Sequence, residues 1–184
     1  MPKKKTLNHI SRKLTNGANK ITKYLKQAKV KFKLLKHKIV FTAHDAAQTT
    51  KKKINEIAKV VLVKADKDFV LIVLPAGKYV DFNGIKKALK AKKVSMATEK
   101  DIAKYLKTKV GLLHPFGNLY KSPPHPTLSP KGARGISVLL DKGLAKAKKM
   151  VASAESYTES VEIALKDFEK LVKPIKGVFA KSKK

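Results

Sequence analysis

The stretch Ala58-Lys59-Val60-Val61-Leu62-Val63-Lys64-Ala65-Asp66-Lys67-Asp68-Phe69-Val70-Leu71-Ile72-Val73-Leu74 decides the fold. Residues 58–64 and 69–74 are β-branched, apolar runs with Asp66-Lys67-Asp68 between them, which predicts a β-hairpin. Phe69 to Leu74 shows no polar alternation, so the second strand is expected to be covered on both faces. A lysine, Lys59, begins the first strand. A cation at the start of a buried strand is a natural partner for a small polar ligand.

Downstream, Asp81 is placed to cap a helix with Ile85, Ala88 and Leu89 inward, and Lys93–Met96 reads as a short strand. Thr98 caps the next helix, which buries Ile102 and Leu106. Then comes Gly111-Leu112-Leu113-His114-Pro115-Phe116-Gly117. Glycine at both ends and proline inside exclude a helix or a central strand. This is a shaped loop whose backbone N–H groups can approach a ligand closely. Residues 121–135 hold four of the chain's eight prolines and read as an inserted surface loop. Ile136 to Leu140 is expected as a strand ending at Asp141, and Val161–Ile163 as a final strand. Asp167–Lys173 is the expected last helix, with Phe168, Leu171 and Val172 inward and Pro174 at its end.

Upstream, Ile21, Tyr24, Leu25 and Ala28 recur at helical spacing, giving an amphipathic helix over 18–28. Lys31–Lys36 interleaves Phe32 and Leu34 with lysine as an exposed strand does, although Leu35 breaks the alternation. Thr42 and Asp45 form an imperfect capping box for a helix through Thr50. These elements describe one mixed α/β domain over 17–175, preceded by a basic arm at 1–16 and followed by a basic tail at 176–184.

The chain has 184 residues, 43% of them hydrophobic, enough for a real core. It has no cysteine, which excludes disulfides, thiolate metal sites and a cysteine nucleophile. The longest apolar run, Phe69–Pro75, is far short of the ~20 residues that cross a bilayer. The first residues lack the apolar stretch of a secretory signal, and a cytoplasmic location is expected. The formal net charge is +30. Such a field attracts polyanions, nucleic acid first and an anionic membrane surface second. Only two of the 43 basic residues are arginine, Arg12 and Arg134. Lysine acts as a point charge, so the charge suits attraction to a phosphate backbone rather than base reading.

Taken in order, several short motifs resemble one family. They are Phe41-Thr42-Ala43, Ala58-Lys59, Leu74-Pro75-Ala76 with Val80-Asp81-Phe82, and Ala97-Thr98-Glu99. Gly111-x-x-x-Pro115-Phe116-Gly117-Asn118-Leu119-Tyr120, Asp141 and Asp167–Pro174 complete the set. From about Lys38 to Pro174 the chain resembles the YbaK/prolyl-tRNA-synthetase-associated domain family of aminoacyl-tRNA deacylases.

The resemblance implies a mixed, partly barrel-like sheet with surrounding helices. It also implies hydrolysis of the ester joining a wrong amino acid to the 3′ end of a tRNA, by a free-standing enzyme without metal or cofactor. The partners it implies are the aminoacyl end of tRNA and an aminoacyl-tRNA synthetase. On that reading Lys59, Gly111 and Pro115 are the catalytic positions. Leu112, Leu113, His114, Phe116, Gly117 and Asp141 contact substrate or shape the pocket. His114 reads either as a functional imidazole or as a packed neutral histidine, and Asp141 either as an orienting acceptor or as a strand-end cap. His9, His37, His44 and His125 lack metal-ligand spacing. Ser137, Ser153 and Ser156 lack a local nucleophile pattern.

Two departures stand out. Related chains tend to carry Ala-Gly-Ser-His-Thr where this one has Ala154-Glu155-Ser156-Tyr157-Thr158, and the stretch 121–135 follows directly on the loop. These motivate an alternative, a non-catalytic tRNA- or RNA-binding module on the same fold; the lysine-rich composition adds a third reading, a chromatin- or ribosome-associated protein.

Overall fold

The computed structural model describes residues 20–120 and 135–182. The expectations for the arm 1–16 and for residues 121–134 of the proline-rich stretch lie outside them. Helix α1, described over 20–27, buries Ile21 and Leu25 completely. Strand β1 (Phe32–Lys36) follows. Leu34 packs against the main core and Leu35 against a smaller cluster behind it, so the break in alternation reflects two covered faces. Helix α2 (Ala43–Thr50) starts at the expected box, with Thr42 and Asp45 exchanging side-chain and backbone hydrogen bonds.

A 3₁₀ turn (Ile54–Glu56) leads into β2 (Ala58–Ala65) and β3 (Asp68–Pro75). These pair antiparallel from Ala58↔Pro75 to Ala65↔Asp68 around the two-residue turn Asp66-Lys67. Every residue of β3 is buried. Phe69, Leu71 and Val73 enter the main core, while Val70, Ile72 and Leu74 enter a second cluster on the other face. Then come β4 (Tyr79–Val80), α3 (Phe82–Leu89), β5 (Val94–Met96) and a helical segment from Glu99 to Leu106. Asp81 and Thr98 cap their helices as expected. Ile85 faces inward, but Ala88 is exposed.

After the 111–117 loop, β6 (Ser137–Asp141), α4 (Lys142–Ala145), β7 (Lys149–Ser153), β8 (Glu159–Ala164) and α5 (Leu165–Val172) follow. The strand at 161–163 is therefore not the last. Two short strands come after it, β9 (Ile175–Gly177) and β10 (Ala180–Lys181). The segment read as a basic tail is thus built into the fold through residue 182, with Phe179 only 1% exposed.

The strands form a five-stranded sheet in the order β5-β2-β3-β6-β9, a three-stranded sheet β1-β8-β7 and the pair β10-β4. In the large sheet β6 lies parallel to β3 and to β9. A single parallel bridge, Ile57↔Val151, joins the edge of the small sheet to the entry of β2. The sheets meet at that corner without closing a barrel, and the corner is where the site lies.

Gly117 locks the long loop onto the large sheet. A Cβ there would stand 2.1 Å from the Ile136 carbonyl oxygen and 2.7 Å from Val138 Cγ2. Backbone cannot yield as a side-chain tip can, so Gly117→Ala is expected to cost about 2–3 kcal/mol. Urea denaturation of the variant against the parent checks this.

Candidate active site

A cleft of ≈ 280 Å³ opens at the corner between the sheets. Its walls are the chain entering α2 (Phe41, Thr42, Ala43), the first half of β2, the Val110-Gly111 turn with Leu113, and the β7–β8 hairpin. The floor is apolar, from Ala46, Ile57, Ala58, Val151 and Ala152.

Lys59 lines this cleft. The alternation of β2 places Ala58 and Val60 toward the main core and Lys59 toward the opposite face. The ammonium donates to the Lys78 carbonyl and lies 5.3 Å from the Tyr79 ring centroid. Partial burial holds its pKa below the ordinary lysine value. Lys59 therefore lines the cleft as a residue, while its ammonium is held by two groups that do not line it.

Next to it, β2 has an open edge. The Leu62 carbonyl accepts from Ala97 N–H at 3.1 Å on the side away from β3. The two-residue period puts the N–H and C=O of Val60 on that same side. Strand β5 pairs only with Val63–Ala65, so these Val60 groups face the cleft.

Gly111 adopts φ +86, a conformation that glycine takes without strain. The turn uses some of its donors itself, since Leu112 N–H bonds to the Lys109 carbonyl and His114 N–H to the Tyr120 hydroxyl. The N–H groups of Gly111 and Leu113 have no acceptor among the described residues. At the mouth, the Phe41 ring is 69% exposed and packs 5.3 Å, centroid to centroid, from Tyr157. A Cβ on Gly111 would lie 3.5 Å from the Phe41 carbonyl oxygen and 3.8 Å from Tyr157 Cε1.

Of the expected site residues, the structure brings Lys59, Gly111 and Leu113 to the cleft wall. Leu112, His114, Pro115, Phe116 and Gly117 do not line it. Phe116 is fully buried against Tyr24 and Phe168, and Pro115 is buried beneath the loop. Asp141 takes the second of its two readings, the strand-end cap, and does not line the cleft. Its carboxylate accepts from Gly143, Phe179 and Ala180 N–H, capping α4 and pinning the C-terminal segment away from the cleft.

His114 is 0% exposed and stacks on Tyr120 at 4.1 Å and 8°. Neither ring nitrogen has a hydrogen-bond partner among the described residues. Its Nε2 lies 3.9 Å from Glu155 Oε2, beyond hydrogen-bond reach. Burial, with Lys20 nearby, pushes its pKa down to about 3, so it is a neutral packed histidine. Glu155 sits at φ 60, the left-handed conformation that glycine would take freely, and its side chain turns toward His114 instead of into the cleft. Burial pushes its carboxyl pKa up.

An unfolded histidine takes a proton near pH 6.5, whereas the folded one resists it to about 3. Stability carried by neutral His114 is therefore complete above pH 6.5 and lost as pH falls below it. Glu155, with a raised pKa, acts in the opposite sense and offsets part of this loss. At pH 4.5 the parent is expected to have lost about 2–3 kcal/mol more, relative to pH 7.5, than a His114→Phe variant. Denaturant midpoints across that range check it.

Residues 37–171, well over half of the chain, match the aminoacyl-tRNA editing domain model. The chain belongs to that family. The chain is 24% identical over 151 residues to the prolyl-tRNA editing protein ProX of Acetoanaerobium sticklandii, covering 81% of this chain and 86% of that protein. It is similar in fold to a crystal structure described as a candidate trans-editing enzyme for prolyl tRNA synthetase. That match has a TM-score of 0.72 at 15% identity and covers 90% of this chain and 98% of the other. A hypothetical protein of known structure superposes with a TM-score of 0.75 at 18% identity, over 88% of this chain and 99% of the other.

The serines of the β7–β8 hairpin were not legible as a group. Ser153 and Ser160 stand opposite one another across the two strands, and both line the editing domain's cleft with Ser156. No helix among the described residues is long and apolar enough to cross a membrane.

Proposed function

We propose that this chain hydrolyses the ester between amino acid and ribose at the 3′ end of a mischarged tRNA, acting in trans. One observation carries the reading: Lys59 lines one apolar-floored cleft together with Gly111 and Leu113, whose N–H groups have no acceptor among the described residues. The names of the relatives point to tRNA for proline as the first substrate to try, with a prolyl-tRNA synthetase as the source of the mischarged pool.

In this arrangement the aminoacyl side chain enters the apolar floor. The Val60 carbonyl takes the α-ammonium group, and the Lys59 cation holds a phosphate near the terminal nucleotide. The exposed Phe41 face stacks on the terminal base, a contact worth about 1–3 kcal/mol in other single-stranded complexes. Water attacks the acyl carbon, and the Gly111 and Leu113 N–H groups receive the developing oxyanion, at roughly 2.7–4 kcal/mol for one such donor. The net charge of +30 attracts the rest of the tRNA without reading its sequence.

The volume of the cleft limits the side chain. The test is a panel of tRNAs carrying small aliphatic or large aromatic amino acids, incubated with the purified full chain. Release of the small residues with the aromatic ones retained supports the reading, and equal release of both contradicts it.

A further inference from the structure

Ester hydrolysis needs a proton acceptor, and neither Lys59 nor the 111–113 turn supplies one. The cleft wall contains a candidate. Ser160 on β8 is 4% exposed and lines the cleft, and its Oγ lies 2.9 Å from His37 Nε2. The other ring nitrogen, Nδ1, is 2.8 Å from the Lys38 carbonyl oxygen. A carbonyl only accepts, so the neutral ring carries its proton on Nδ1 and offers the Nε2 lone pair to the Ser160 hydroxyl. The His37 backbone is held in turn by its N–H bond to the Thr158 carbonyl at 2.9 Å. Hydroxyl, imidazole and orienting acceptor stand in the sequence that activates a hydroxyl.

The pairing of β1 with β8 does not require this bond, because their ladder runs unbroken from Phe32↔Ile163 to Lys36↔Glu159. Ser160 also shares a face with apolar neighbours such as Leu35, where an apolar side chain would avoid burying a hydroxyl.

We propose that Ser160 and His37 form a proton relay opening into the cleft. The proposal rests on the hydrolase reading above. Water adds to the acyl carbon and gives its proton to Ser160 Oγ, while the Ser160 proton passes to His37 Nε2. When the tetrahedral intermediate breaks its bond to the ribose oxygen, that oxygen takes the proton back by the same route. The products are a free amino acid and an intact ribose hydroxyl, with the relay restored.

The test compares the full chain with its Ser160→Ala, His37→Ala and His37→Gln variants on one mischarged tRNA. Loss of a positioned acid–base group is expected to lower kcat by about 100-fold or more in each, with KM within about twofold. Combining Ser160→Ala with His37→Ala adds little further loss. Added imidazole restores turnover to His37→Ala and none to Ser160→Ala. The His37→Gln variant keeps a hydrogen-bonding partner for Ser160, so its lost turnover reports proton transfer rather than misfolding. Parental kcat in these variants, or a change confined to KM, overturns the relay. So does absence of imidazole rescue, or an acyl group trapped on Ser160 by acid quench. Failure of the unaltered chain to release any amino acid overturns the hydrolase reading instead.

Discussion

Asp141→Ala is expected to destabilise the chain by about 3–6 kcal/mol and to free its C-terminal segment. The carboxylate is 4% exposed and accepts three backbone N–H bonds, from Gly143 at 2.7 Å, Phe179 at 2.8 Å and Ala180 at 3.0 Å. Truncation removes three hydrogen bonds to a charged group, worth about 1–3 kcal/mol each, and leaves the buried Phe179 N–H without a partner, the Gly143 and Ala180 donors being only part-buried. Against a typical total of about 5–15 kcal/mol, that loss is large. Strands β9 and β10 are only three and two residues long and cannot hold the segment alone. Hydrogen exchange at Phe179 and Ala180 should therefore rise to the rate of local opening. Fluorescence-monitored denaturation supplies the free energy, and unchanged stability would contradict the assignment.

Asp141 also shows where a sequence stops being readable. The hairpin at 58–75 was legible because its apolar runs and turn are local, and because a strand without polar alternation has to be covered on both faces. The helix starts at Thr42, Asp81 and Thr98 were legible because a capping side chain bonds within three residues. The C-terminal strands were not, since the group that pins them lies 38 and 39 residues upstream. Helix ends were obscured as well. Lys51, Lys90, Lys107 and Lys173 occupy the left-handed position where glycine would mark a stop. Strand β7 escaped because Met150 and Ala152 lack the β-branched signature and follow a lysine- and alanine-rich run.

Lys59 and Gly111 were singled out by the ordered motifs that carry the resemblance, and both line the cleft. The Ser160–His37 pair was not, because 123 residues separate its members and only the pairing of β1 with β8 brings them together. His114 was singled out by its place in the loop, yet the loop folds its ring inward against Tyr120. The Glu155 departure leaves the cleft open, because its side chain turns toward that ring.

Replacing Lys59 by methionine keeps an unbranched apolar stem and removes the charge. We expect kcat/KM for a mischarged tRNA to fall 10- to 150-fold, matching the ~1.5–3 kcal/mol of a charge-assisted hydrogen bond. Most of the loss should fall on KM, since the proposed phosphate contact would be made in ground state and transition state alike. The slope of log affinity against log salt should also shrink by about one, the signature of one lost phosphate contact. An unchanged salt slope with a collapsed kcat would place the ammonium at the acyl carbonyl instead.

Incubating a trace of the purified chain with excess mischarged tRNA for proline and measuring free amino acid over time tests the ester hydrolysis itself. Release far exceeding the number of protein molecules is expected, with tRNA that can be charged again. Tight, salt-sensitive binding of the same tRNA with no amino acid released would contradict it.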